Sequence, residues 1–253
     1  MSLTVTALPG IPEIGPGDDL ARLIAEAVGR SADYEPADGD VVVIAQKVVS
    51  KAEDRVRRLS EVQPGDQALE LALAHQRDPR FVQAVLDETR ELLRHESGVL
   101  ITETHHGFIC ANAGIDASNV PIDDAVLLLP KDPDESARRL RHELQALLGV
   151  RIAVVITDSF GRAWRVGQND IAIGCAGLPA VLDIRGSADR DGRELTASVT
   201  ALADETAAAA NLVRQKDSGE PVSVICGLGS YVTGEDGPGA VELLRERSTD
   251  LFR

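Results

Sequence analysis

Two short runs constrain this chain most: VVVIA at residues 41–45 and AVVIT at residues 153–157. Neither alternates between apolar and polar positions, so neither fits a strand with one wet face. Such β-branched runs belong to strands buried on both sides of a sheet. Both end abruptly in polar residues. The first is followed by Gln46, Lys47, Ser50 and Lys51, the second by Asp158, Ser159, Gly161, Arg162, Trp164 and Arg165. On this reading the second strand stops at Asp158. A carboxylate and a hydroxyl at the end of a buried strand, beside two guanidinium groups, make a candidate corner for metal and phosphate. Trp164, the only tryptophan, has no chemistry assigned to it and is expected to pack.

The remaining pattern alternates strands and helices. An amphipathic helix is expected from Leu20, its cap supplied by Asp18–Asp19. Residues 64–75 and 79–95 read as helices, the second from Val82, Val85, Leu86, Thr89, Leu92 and Leu93 at helical spacing. Residues 99–104 and 107–111 read as a hairpin around His105-His106-Gly107, with the histidines as turn residues and no metal role. Asp132-Pro133 opens a helix that Gly149 closes. Residues 170–178 read as a packed apolar segment, 182–184 and 193–199 as strands, 200–214 as an Ala-rich helix and 240–247 as a closing helix. Together these predict an α/β fold with mixed sheets rather than a wholly parallel one. One domain over residues 1–253 is expected, divisible into two subdomains. GxGxxG, GxxxxGK[ST] and GxSxG are all absent, so Rossmann, P-loop and hydrolase-elbow sites have no support.

The formal net charge of −15 argues against nucleic-acid binding, although a local cluster of cations can still hold an anionic substrate. No apolar run approaches the length of a membrane span, and MSLTVTALPG has neither the basic nor the apolar region of a signal peptide. Three widely spaced cysteines, Cys110, Cys175 and Cys226, fit small buried residues in a reducing cytoplasm rather than disulfides or a zinc site.

Residues 112–120, NAGIDASNV, are small and polar and let backbone approach a ligand, though Asp116, Ser118 and Asn119 equally supply turn chemistry. Asp116, Asp158 and the Ser159 hydroxyl are hard oxygen donors of the kind that suit Mg2+ or Mn2+. Lys47, Lys51, Arg162 and Arg165 are candidates to neutralise phosphate oxygens. Such a set suits phosphoryl transfer.

Eight blocks carry a further inference: LPGIPEIGPGDDL (8–20), DGDVVVIAQKVVSKAE (38–53), FVQAVL (81–86), NAGIDASNV (112–120), LLLPKDPDESA (127–137), VVITDSFGRAWRVGQND (154–170), GRELT (192–196) and ADETAAAANLV (203–213). In this order, over nearly the whole chain, they resemble the coenzyme F420-0:L-glutamate ligase family. The resemblance implies an unusual α/β ligase fold, a cytoplasmic homodimer, and GTP-dependent γ-glutamylation through an acyl phosphate, first on F420-0 and then on F420-1. It implies two divalent ions, Mg2+ or Mn2+, with K+ as a further candidate cation. Its partners are GTP, L-glutamate and coenzyme F420-0, with no nucleic acid and no membrane.

By position, the resemblance implies nucleotide contacts at Ile11, Pro12, Glu13, Ile14, Gln46, Lys47, Lys51 and Asn119. It implies metal ligands at Asp116, Asp158 and Ser159, the last in place of a threonine. Gln215, in the loop RQKDSGE, stands nearest a carboxylate that archaeal relatives use for the second metal, so that ligand is open among Gln215, Asp217 and water. Asp158, Arg162 and Lys51 are the candidate catalytic residues. Actinobacterial relatives carry an additional C-terminal domain, so a stand-alone ligase and an excised domain are both expectations. Two other readings stand beside the ligase: a non-catalytic deazaflavin- or nucleotide-binding module, and a ligase for a different acidic acceptor.

Overall fold

The computed structural model describes residues 2–96, 98–117, 122–214 and 219–251. In chain order the strands and helices are β1 (Thr4–Ala7), α1 (Leu20–Arg30), β2 (Val41–Ala45), α2 (Gln46–Ala52), β3 (Val56–Arg58), α3 (Asp66–His75), α4 (Pro79–Asp87), β4 (Thr89–Glu96), β5 (Val99–Thr104), β6 (Ile109–Ala111), β7 (Ala125–Leu127), α5 (Pro133–Leu148), β8 (Ala153–Arg162), β9 (Arg165–Ala176), β10 (Leu182–Asp183), β11 (Val199–Thr200), α6 (Leu202–Asn211) and β12 (Val222–Cys226). This is an α/β structure with mixed sheets. Among the described residues no helix is long and apolar enough to cross a membrane.

The central sheet has the order β1-β12-β2-β8-β9, in which only β2 and β8 run parallel. Its two central runs are buried on both faces, as their composition requires. Val42, Ile44, Val154 and Ile156 join a core with Leu20, Ile24 and Val28 of α1 and Leu140 and Leu144 of α5. Their neighbours Val41, Val43, Ala153 and Val155 join a second core with Leu202, Ala203 and Ala210 of α6. Alternation along a strand therefore divides one apolar run between two layers. A third cluster, including Leu71, Val82, Val85, Leu100, Val126 and Leu128, fills the space between α3, α4, β5 and β7.

Local chemistry sets the helix ends. Asp19 accepts a hydrogen bond from the Arg22 N–H at 3.0 Å and Asp132 from the Glu135 N–H at 3.0 Å. Pro133 stands in the first turn of α5, and Gly149 closes that helix in the left-handed conformation. The histidine pair lies in the β5–β6 turn as expected. Five expectations need correction. The helix predicted over 79–95 ends at Asp87, and Thr89–Glu96 is a strand paired with β5. There the ladder of a neighbouring strand outweighs helical periodicity. The expected strand over 193–199 shrinks to Val199–Thr200, paired with β10. The closing helix is a single 3-10 turn at Ala240–Leu243, followed by another at Arg247–Thr249.

The fourth correction concerns the focal strand, which runs five rungs past its apolar core. β8 continues through Asp158 to Arg162 because β9 pairs with it antiparallel as far as Arg162↔Arg165. Both strands of this hairpin project beyond the end of β2 at Ala45. Trp164 sits at the hairpin tip and is 81% exposed, contrary to the expectation that it packs.

Candidate active site

The parallel pair β2 and β8 points its two C-terminal ends at one edge of the sheet, Ala45 opposite Thr157. Ligands of α/β sheets gather at such an edge, where strands end and polar side chains begin. A cavity of about 910 Å3 opens there. Its wall takes in Ile11, Pro12, Glu13 and Ile14 before α1, Gln46, Lys47 and Lys51 of α2, Asp116 before β7, and Asp158 and Ser159 of β8. These ten residues come from four separated stretches, and each is a candidate named from the sequence.

Each stretch has a local reason for its position. The chain turns directly from β2 into α2, which brings Lys47 and Lys51 to the sheet edge one helical turn apart. Asn112 and Ala113 both adopt left-handed φ, at 51° and 54°, beside Gly114 at 69°. This costly backbone is held by the Thr102 hydroxyl, which accepts the Ala113 N–H at 3.1 Å. Asp116 follows, and its backbone N–H and C=O both pair with Leu127, at 3.0 and 2.8 Å.

Charge is concentrated at the edge. Lys47 Nζ meets Asp116 Oδ2 at 2.6 Å, both half-buried. Lys51, its side chain only 8% exposed, pairs with the exposed Glu13 carboxylate. Burial pushes the Asp158 carboxyl up to about 7, with Asp170 and Asp116 adding to the rise. The Ser159 N–H and Lys47 oppose it. Burial, with the Asp158 charge beside it, raises the Cys110 thiol to about 12, so this cysteine stays protonated. Among the described residues no three histidine, cysteine or carboxylate groups cluster so as to cage a metal ion by themselves.

Arg162 is placed differently. It stands at the exposed hairpin end, donates from Nη2 to the Val166 carbonyl at 3.0 Å, and is not part of the cavity wall. Asn119 and Gln215 lie outside the described residues. Among the wall residues that escaped the sequence reading are Asp170 and Arg214, a buried ion pair at 3.1 Å. The sequence did hold a signal for the first, a lone carboxylate opening the apolar stretch DIAIGCA.

The model of a family described as F420-0:Gamma-glutamyl ligase matches residues 10–227, a span that contains every cavity residue named above. The chain is 42% identical over 254 residues to the coenzyme F420:L-glutamate ligase of Methanothermobacter thermautotrophicus, covering both chains completely. It is 43% identical over 254 residues to the protein of that name from Methanopyrus kandleri, covering all of this chain and 98% of the other. With the protein of that name from Halobacterium salinarum it shares 49% identity over 226 residues, 87% of this chain and 85% of the relative. The chain belongs to the F420-0:Gamma-glutamyl ligase family.

Proposed function

We propose that this protein is a cytoplasmic, homodimeric ligase that joins L-glutamate to coenzyme F420-0, and then to F420-1, through γ-linked amide bonds driven by GTP. The acceptor carboxylate takes the γ-phosphoryl group of GTP, releasing GDP. The glutamate amine attacks the resulting acyl phosphate, phosphate leaves, and the amine proton passes to solvent. The observation that carries the reading is one cavity that gathers Lys47, Lys51, Asp116, Asp158 and the Ser159 hydroxyl at a sheet edge, in a chain whose relatives bear that ligase name.

The chain's own residues suit each task. Lys47 and Lys51, side by side on α2, offer the positive charge that phosphate oxygens require. Residues 11–14 and Gln46 border the same space and suit the body of the nucleotide, with Asn119 a further nucleotide contact. Arg162 at the hairpin is assigned to a carboxylate or phosphate of the incoming acceptor. Asp116, Asp158 and Ser159 would hold Mg2+ or Mn2+, with Gln215 a candidate for a second ion and K+ a further cation. The donor chemistry fits: burial raises Asp158, with the nearby Asp170 and Asp116 charges adding to the rise, and Mg2+ is ordinarily held by one or two carboxylates plus water and phosphate rather than a full protein cage. When bound, the divalent ions supply charge stabilisation to the transferring phosphoryl group.

The test supplies GTP, Mn2+, L-glutamate and coenzyme F420-0 to the purified protein and follows product mass. One glutamate increment and then further ones are expected, with GDP released in step. Asp158→Ala is expected to lower turnover at least about 100-fold. Nucleotide- or coenzyme-binding without glutamate addition overturns the ligase reading.

A further inference from the structure

Asp170 on β9 lies directly across from Ser159 on β8 and is 5% exposed. Its two oxygens are divided between different donors. Oδ1 accepts the Ser159 hydroxyl at 2.6 Å. Oδ2 accepts the Thr157 hydroxyl at 3.2 Å and Arg214 Nη2 at 3.1 Å. Arg214, 6% exposed, also donates to Thr157 Oγ1 at 2.9 Å and to the Pro221 carbonyl at 3.2 Å.

A serine hydroxyl has one proton and two lone pairs. Asp170 takes the proton of Ser159, and among the described residues that hydroxyl makes no other hydrogen bond. Its lone pairs are therefore left for the cavity that Ser159 lines. Thr157 differs, because it gives its proton to Asp170 and accepts from Arg214, so its hydroxyl is committed on both sides. A carboxylate that orients a neighbouring hydroxyl in this way does for an oxygen donor what outer partners do for metal-bound imidazoles.

We infer that Asp170, held by Arg214, is a positioning residue that fixes the Ser159 proton on the β9 side and presents the Ser159 oxygen as a lone-pair donor to a divalent cation. The inference rests on the divalent site proposed above. It also predicts an asymmetry. In Asp170→Asn, donor-only Arg214 keeps the single amide oxygen, so the amide NH2 falls opposite Ser159. The hydrogen bond then reverses, the amide consumes a Ser159 lone pair, and the hydroxyl proton turns toward the cavity.

The experiment is a Mn2+ titration of the full-length chain, without nucleotide, followed by the electron paramagnetic resonance of free Mn2+. Ser159→Ala and Asp170→Asn are each expected to weaken Mn2+ binding about tenfold. The double variant should be within about twofold of the weaker single one, because both changes act on one oxygen. Ser159→Thr, which keeps the hydroxyl, should bind within about twofold of wild type. Wild-type affinity in Asp170→Asn, or a double variant that loses the product of the single effects, overturns the inference and leaves the divalent site standing. Failure of the wild-type chain to bind Mn2+ overturns both. If circular dichroism shows that Asp170→Asn does not fold, D170A/R214M removes both buried charges and enters the same titration, with the same loss expected and the same outcomes decisive.

Discussion

Two arginine–aspartate pairs with buried arginines sit at different positions along the β8–β9 pairing, one beside Ile152 and Gly177 and the other beside Thr157 and Ser159, and they are finished to different degrees. Arg141 of α5, 1% exposed, donates from Nε to the Ile152 carbonyl at 2.8 Å, from Nη1 to Asp236 at 2.6 Å and from Nη2 to the Thr233 carbonyl at 2.7 Å. It lies against Gly177, where φ is +79° and a Cβ would come within 2.3 Å of its Nε. Every nitrogen has a partner, and the group bolts α5 to the segment that follows β12. Arg214 is buried too, yet its Nε has no partner among the described residues, and neither has Gln46 Nε2 of the same cavity wall. A saturated network rigidifies, whereas a buried donor left without a partner costs stability. Similar residue pairs are thus saturated where they fasten two segments together and left unsaturated beside the cavity.

The largest expected effect on stability separates the two pairs. Arg141→Met should cost about 3–5 kcal/mol, because it strands two carbonyls and loosens Asp236; the urea midpoint measures it. Arg214→Met should cost only about 1–3 kcal/mol, since Asp170 still accepts from Thr157 and Ser159. Equal losses in the two variants would break the comparison.

A smaller effect depends on pH. Burial raises Asp158 to about 7 from its ordinary value. A raised carboxyl contributes stability that is full below the unfolded value and is lost as pH rises through about 7. In chelator-treated protein, Asp158→Asn should therefore gain on wild type between pH 5 and pH 8, by an amount on the order of 1 kcal/mol after allowing for partial solvation. Melting curves at the two pH values decide it, and an unchanged gap removes Asp158 from the group that titrates. The smallest effect belongs to the hairpin tip. Trp164→Ala should move stability by no more than about 0.5 kcal/mol, because so exposed a side chain holds no core together. A larger loss in the same urea measurement would make the tip part of the fold's support.

Much of the architecture was legible because its causes are local. Asp19, Asp132, Pro133 and Gly149 mark helix ends through hydrogen bonds and φ preferences within a few residues. The runs at β2 and β8 announce burial on both faces. The site was legible in part, since polar residues at the ends of those runs must lie at the sheet edge, and ten of the candidates line one cavity. What was missed depends on partners far away in the chain. Thr89–Glu96 has helical spacing, but β5 offers it a ladder. β8 outlasts its apolar run only because β9 accompanies it. Asp170 and Arg214 are 44 residues apart, and nothing local to either names the other.

By itself, then, the sequence determined the alternation of elements, the buried central strands and the family. The tertiary structure alone decided which donors meet which acceptors: Lys47 with Asp116, Lys51 with Glu13, and Asp170 with both Ser159 and Arg214. The physical reason is range. Caps and periodicities act within one or two turns of chain, whereas an ion pair or a hydroxyl's proton is assigned by distances of about 3 Å between segments that only the folded sheet brings together.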